Sequence, residues 1–340
     1  MKKITLCLLF LCLGLSLAAC AGPAPAPAET PAAAESTPGP TPEPTPEPTP
    51  ELLTRVVLKN DCLPDDFQLT EYAACTNANT DAQTYLDTGV SPSNDTRLFF
   101  DFQCTSGFAV KDTWFFGCFN RDAHLFMEVG YHMGQGNPAN FYTATGMHYS
   151  QTEDSAGRTV AYLHPGDYFY PDASVGVVYR EIGECPQHFY IFARQHMNMQ
   201  LANTDDTPGT YDLRVYGCRL WQGDTVVRDF VPCICRSTGR AGMYDLIEGT
   251  MYYSAGSEEV EPGPELLPPG ELSAVNGALS EGIEPPSLPG FCFQGYYTGF
   301  QGSGTQCIDA QGRPCADVGT EDGLVLYACW TRDESYFDQY

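Results

Sequence analysis

"YDLRVYGCRLWQGDTVVRDFVPC" (residues 211–233) alternates apolar and polar residues through 212–221 and again through 225–231. Period two is the pattern of a half-buried strand. Gly223-Asp224 between the two runs is a two-residue hairpin signal. Outward from this hairpin the same pattern recurs. In "RLFFDFQ" (97–103), Leu98, Phe100 and Phe102 share one face, with Asp101 and Gln103 on the other. "FYIFAR" (189–194) reads alike. Long helical periodicity is missing. Short strands spaced by Gly, Asn, Asp and Pro turns predict an all-β chain built as a two-sheet sandwich.

The amino terminus supplies an address. Lys2 and Lys3 precede the apolar run "ITLCLLFLCLGLSLAA", which ends in small residues before Cys20. A basic head, an apolar stretch and a small-residue exit describe an export signal over 1–19. A spanning helix needs about 20 apolar residues with polar flanks on both sides, and here the run falls into Ala/Pro sequence. "LAAC" resembles the bacterial lipoprotein box. That resemblance implies cleavage before Cys20, fatty acyl chains (diacylglyceryl, with palmitate as a typical acyl group) on Cys20, and anchoring to the extracytoplasmic face of a cell membrane. Residues 20–52, "CAGPAPAPAETPAAAESTPGPTPEPTPEPTPEL", have no apolar period and cannot build a core. As extended Pro-rich chain, at about 3.1 Å per residue, this tether reaches roughly 90 Å.

Losing Lys2 and Lys3 with the signal takes the formal net charge from −26 to −28. So acidic a chain argues against nucleic acid and against anionic lipid, both of which call for basic patches. The membrane is therefore met only through the lipid. Beyond the tether about 290 residues remain, enough for a large domain and a small one. The acidic, Pro-rich "EEVEPGPELLPPGE" (258–271) marks the boundary. It divides a sandwich at 53–262, a linker at 263–271, a compact module at 272–331 and a tail at 332–340.

Two resemblances sharpen this division. "TYLDTGVSPSNDTRLFFDFQ" (84–103), "FYIFAR", the 211–233 hairpin and "AGMYDLIEGTMYYSAGS" (241–257) resemble, in order and spacing, the laminin-G-like, concanavalin A-like domain of bacterial surface and phage proteins. The resemblance implies an antiparallel jelly roll and little chemistry, and 119–185 follows the pattern loosely. "GFCFQGYYTGFQGSGTQCIDAQGRPCADVGTEDGLVLYACW" (290–330) resembles the internalin-type B-repeat, also called the Listeria–Bacteroides repeat. That implies a small β-grasp module, with Phe293, Tyr296, Leu326, Tyr327 and Trp330 in core or half-core positions. Its opening strand, "ELSAVNGAL", lacks the usual apolar start.

Outside the membrane, structural disulfides are the default use of cysteine. Cys62, Cys75, Cys104, Cys118, Cys185, Cys218, Cys233 and Cys235 fall in the sandwich, and Cys292, Cys307, Cys315 and Cys329 in the module. Both counts are even, as two self-contained sets require. Zinc sites favour Cys-x2-Cys units and redox pairs Cys-x-x-Cys at a helix start. Neither is present. The 223–224 loop sets Cys218 against Asp229 and Cys233 against Arg214, too far along the strand for a Cys218–Cys233 bond. Cys233 and Cys235 share a face and take separate partners. In the module, Ala310-Gln311-Gly312 reads as a three-residue loop with Gly312 left-handed. That register opposes Asp309 to Arg313, Ile308 to Pro314 and Cys307 to Cys315, within disulfide range. Cys292 and Cys329 then pair across neighbouring strands.

Catalytic constellations are thin. Six histidines (124, 132, 148, 164, 188, 196) lack metal-ligand spacing, and no Gly-x-Ser-x-Gly elbow occurs. Glycan cleavage asks for two carboxylates about 5 to 9 Å apart. Glu128, "TEDSA" (152–156) and "NTDDTPG" (203–209) supply only unpaired or loop acids. Asp205 and Asp206 in a turn are the weak calcium candidates. No catalytic residue and no cofactor are assigned. The expected function is non-catalytic: adhesion to, or recognition of, a glycan, host or neighbouring surface component. The alternatives are a passive surface scaffold and a glycan-active concanavalin-like enzyme.

Overall fold

The structure, a computed structural model, describes residues 50–78, 82–106, 113–120, 125–131, 150–153, 157–163, 169–172, 176–179, 185–194 and 210–339. The export signal, Cys20, the tether to residue 49, Asp205, Asp206 and every histidine but His188 lie outside them. No helix among the described residues is long and apolar enough to cross a membrane.

The chain opens with β1 (Leu53–Lys59), β2 (Phe67–Leu69), β3 (Ala73–Ala78), β4 (Leu86–Asp87) and the long β5 (Thr96–Ser106). Next come β6 (Thr113–Asn120), β7 (Leu125–Tyr131), β8 (Ser150–Glu153), β9 (Thr159–Leu163), β10 (Phe169–Asp172), β11 (Gly176–Tyr179) and β12 (Tyr190–Ile191). The second half carries β13 (Thr210–Gln222), β14 (Thr225–Cys235), β15 (Ala241–Asp245), β16 (Thr250–Tyr252) and β17 (Glu261–Pro262). It ends with β18 (Gly270–Val275), β19 (Ala278–Leu279), β20 (Phe291–Tyr297), β21 (Gln306–Asp309), β22 (Leu324–Arg332) and a single-turn helix, α1 (Glu334–Asp338).

The all-β class holds; β10-β11 make a separate two-stranded sheet, and among the described residues two large sheets form the sandwich. One follows the order β16-β15-β14-β13-β5-β9-β8, with β2 beside β14 and β3 beside β13; the other is β4-β12-β6-β7. Alternation explains how they meet. Leu98, Phe100 and Phe102 of β5 turn inward and are fully buried. Phe100 lies 5.2 Å from Phe116, and Phe102 5.5 Å from Phe115, both on β6 and both tilted ring pairs. Leu213, Val215, Cys218 and Leu220 of β13 join this core.

The hairpin forms as its two-residue loop requires, with Gln222 opposite Thr225 and Gly223 at φ 59°. A bulge between Leu220 and Trp221 then shifts the register by one, so Cys218 faces Phe230 rather than Asp229. Further along, β14 leaves β13 to pair with β2, so Cys233 faces Leu69 and Gly242, while Arg214 faces Ala74 and Gln103. "FYIFAR" supplies only a two-residue strand, because Phe192 adopts a left-handed φ of 70° that ends the extended run.

Three expectations about boundaries change. Residues 53–59 leave the sandwich: β1 runs antiparallel to β18 and parallel to β22, inside the six-stranded sheet β19-β18-β1-β22-β20-β21. The apolar start missing from "ELSAVNGAL" is thus supplied from the other end of the chain, by Val56 and Leu58. Residues 258–271 are no free linker. Pro262 pairs with Ala73, Gly263 N donates to Tyr72 O at 2.8 Å, and Leu266 N donates to Leu69 O at 3.0 Å. The tail, described from 332 to 339, is structured too. Asp333 caps α1 by accepting from Ser335 N, and Phe337 is 3% exposed. Residues 50–340 make one compact unit.

The module's hairpin matches its expected register. Asp309 N donates to Arg313 O, Cys315 N donates to Cys307 O (both 2.9 Å), and Ile308 bridges Pro314. Gly312 has φ 79°. Tyr296 and Leu326 are buried, and Phe293 and Trp330 pack against the same cluster. Trp330 Nε1 donates to Asn60 O at 3.0 Å, so this ring is a packing element.

Candidate functional site

The outer face of the sandwich is where chemistry gathers. With Phe100, Cys218, Leu220 and Phe230 turned to the core, the intervening residues of the same strands face outward: Phe99 and Asp101, Arg219 and Trp221, Asp229. A register shift between Val215 and Gly217 inserts Tyr216 on this outer side. Such a face is ordinarily wet, yet Phe99, Asp101, Arg219, Trp221 and Asp229 are all buried. The cover comes from the far end of the chain: Leu288, Pro289 and Phe291, the end of β22 with Arg332, and α1 with Tyr336 and Phe337. Between face and cover is a pocket holding ≈ 680 Å³ of empty space, part of it open to solvent.

Its polar groups form paired layers. Arg158 grips Asp101 with two bonds, Nε to Oδ1 at 2.8 Å and Nη2 to Oδ2 at 2.6 Å, and lies 3.7 Å over the Tyr216 ring. Arg332 grips Asp229 in the same way, Nε to Oδ2 at 2.7 Å and Nη2 to Oδ1, with its guanidinium 3.8 Å over Phe291. Bidentate pairs of this kind are the strong form of the Arg–carboxylate contact. Behind them, Asp229 N donates to Asp245 Oδ1 at 2.9 Å. Burial raises the Asp245 carboxyl above the ordinary range, against its backbone donors and Arg228.

Arg219 is the exception. It is 3% exposed, and its guanidinium sits 4.9 Å from the Trp221 ring and 4.3 Å from the Phe337 ring. Nη2 donates to Glu334 Oε1 at 2.8 Å, and Nε approaches Asp229 Oδ2 only to 3.7 Å. Nε and Nη1 have no hydrogen-bond partner among the described residues. Each such buried, unpaired donor costs about 1–3 kcal/mol. Burying Phe337 contributes roughly 2 kcal/mol in return.

None of the residues singled out from sequence as site candidates lines this pocket except Cys218, whose thiol faces the core and is raised by burial. All twelve cysteines after Cys20 are unbridged in this structure. Burial raises Cys75 and Cys233, and Cys104 to about 12. Cys235 is lowered, by hydrogen bonds from Ser237 and Thr238. Cys233 Sγ meets Met251 and Cys235 Sγ meets Asp66 and Ser237, so the two sulfurs have separate neighbours. Cys292 is opposite Thr331, two residues from Cys329 on one face of β22, which makes Cys292 and Cys329 a diagonal pair rather than an opposed one. Cys75 and Cys104 flank Leu213 from opposite sides, about 9–10 Å apart across two strand spacings. Of the histidines, His188 pairs with Asp87 at 3.0 Å. No three His, Cys, Asp or Glu side chains among the described residues come together as a metal site.

The signal for the pocket was present but dispersed. "CRLW" and "VRDF" place Arg219 and Asp229 at outward positions of strands, where a charge reads as solvated. What makes them a site is a cover encoded about a hundred residues away. No family model matches the sequence, and neither the curated proteins nor the solved structures contain a significant match.

Proposed function

We propose that the chain is a lipid-anchored bacterial surface protein whose folded part recognises a component of a facing or neighbouring surface without catalysis. The observation that supports it is the pocket: concave, walled by Phe99 and Tyr216 on the sandwich side and by Phe291 of β20, with a few convergent polar groups already set by Arg–carboxylate pairs. Aromatic walls with sparse, oriented polar groups are the usual make-up of a binding site. "LAAC" at Cys20 and the Pro-rich tether supply the anchor and the reach. The two-sheet core fits the laminin-G-like resemblance, with a jelly roll as its finer form. The six-stranded sheet takes the place of the B-repeat-like module, completed by β1.

Two experiments test the proposal. Residues 50–340 are applied to arrays of surface glycans and immobilised surface proteins, alongside a reducing-sugar assay. Saturable binding without sugar release supports recognition; release of reducing ends identifies an enzyme instead, and silence on both arrays leaves a scaffold. In cells, Cys20→Ala is expected to abolish incorporation of labelled fatty acid. A wild-type chain that takes up no label would remove the anchor.

A further inference from the structure

One part of the pocket's cover, α1, packs on the sandwich through two aromatic side chains and one carboxylate. Phe337 stands edge-on to Phe99 (5.1 Å, 86°) and to Trp221 (5.9 Å, 76°), and Tyr336 lies 6.1 Å from Phe99. Phe99, Val160, Tyr162, Trp221 and Phe337 make one buried cluster. One turn before Phe337, Glu334 holds Arg219. A carboxylate followed at i+3 by an aromatic ring is therefore what this shelf accepts.

The fit is incomplete in a way that points to a better occupant. Arg219 keeps two nitrogens, Nε and Nη1, without a hydrogen bond beneath the segment. Their burial offsets much of what docking Phe337 contributes. The segment's other ties are weak: α1 is only five residues long, too short to persist alone. Glu334 is 61% exposed, so its pairing is screened by solvent. A ligand that brings the same carboxylate and ring plus further acceptors pairs donors that Glu334 leaves idle on Arg219 and displaces the segment. On this face Asp101 and Asp229 neutralise Arg158 and Arg332, so Arg219 and Arg97, the latter 5.1 Å from Trp221, are the cations left once Glu334 withdraws. Two guanidiniums among aromatic rings, on a chain that is otherwise strongly acidic, select an acidic aromatic partner.

We infer that the outer-face shelf of Phe99, Trp221 and Arg219 is a docking site for an acidic, aromatic peptide segment of a partner protein, occupied in cis by residues 333–339 until that partner arrives. This rests on the recognition function above and names its partner class. Cis occupancy lowers apparent affinity by the fraction of molecules in which the site is free.

The test uses the full chain and a labelled synthetic peptide with the sequence of residues 333–340. Phe337→Ala releases the chain's own segment, verified as faster amide exchange at 333–339 with the sandwich melt intact. This variant is expected to bind the peptide at least tenfold more tightly than wild type, less tightly at high salt. Adding Arg219→Met is expected to weaken binding at least tenfold. A chain ending at Arg332 is the second arm, since it leaves every strand in place. A folded, released variant that binds no peptide, or binds no better than wild type, overturns the inference. So does a released variant that takes a glycan in place of the peptide. If both variants unfold, the segment is an integral part of the fold, which also overturns it. The arrays report on recognition independently, so either conclusion can fail alone.

Discussion

Asp229 is the point at which the seam between the sandwich and the C-terminal segment is most exposed to a single change. Its carboxylate is 3% exposed and serves two guanidiniums, Arg332 by two hydrogen bonds and Arg219 at 3.7 Å. Asp229→Ala leaves Arg219 buried without its central counter-ion, and Glu334, being 61% exposed, replaces it poorly. Removing one partner of a buried ion pair costs about 3–5 kcal/mol. At about 2 °C per kcal/mol for a unit of this size, the melting temperature should fall by roughly 6–10 °C. Asp229→Asn, which keeps an acceptor but not the charge, should lose less. Replacing Asp229, Arg219 and Arg332 together by Leu, Met and Met should recover most of the loss, because three apolar side chains leave no charge unpaired. Calorimetric melts of residues 50–340 carrying each change decide this. An Asp229→Ala melt within 1 °C of wild type, or a triple variant less stable than the single, would refute the view that a compensated buried network holds the seam.

Deleting residues 50–59 should unfold the six-stranded sheet, since Val56 and Leu58 are central to its core; proton NMR of 272–340 alone should show poor dispersion that improves when a 50–61 peptide is added. Non-reducing peptide mapping of exported protein should recover Cys307 joined to Cys315, the pair set opposite by the 309–313 loop; a Cys307–Cys329 or Cys292–Cys307 peptide would exclude it. Acid should loosen that loop. Backbone and side-chain hydrogen bonds from Arg313, then Gln311, hold the Asp309 carboxyl below its ordinary value, so its stabilisation is complete above about pH 4 and is lost as pH falls through the depressed folded value. The protection factors of the Gln311 and Arg313 amides, each taken against the intrinsic exchange rate at the same pH, should fall over that interval and stay flat above it; unchanged protection on acidification would show that the carboxylate does not cap the loop.

Local pattern determined much of this protein. The alternation in 97–103 and 212–231 specified strands and which side chains face the core, because successive residues of a strand point to opposite faces whatever lies on them. Gly223-Asp224 and Gly312 specified their turns through backbone freedom at single positions. The proposed signal, lipobox-like cysteine and tether are read from local chemistry in the same way, and lie outside the described residues. What the sequence did not disclose were contacts made between distant segments. Nothing in "LTRVVLK" says that it pairs with 270–275 and 324–327 rather than with the sandwich that follows it. A half-buried strand and a fully buried one differ only in what covers the second face. That cover, ending in Phe337, turned Arg219, Asp101 and Asp229 from apparently solvated charges into a buried network, and only the tertiary structure brings the two together.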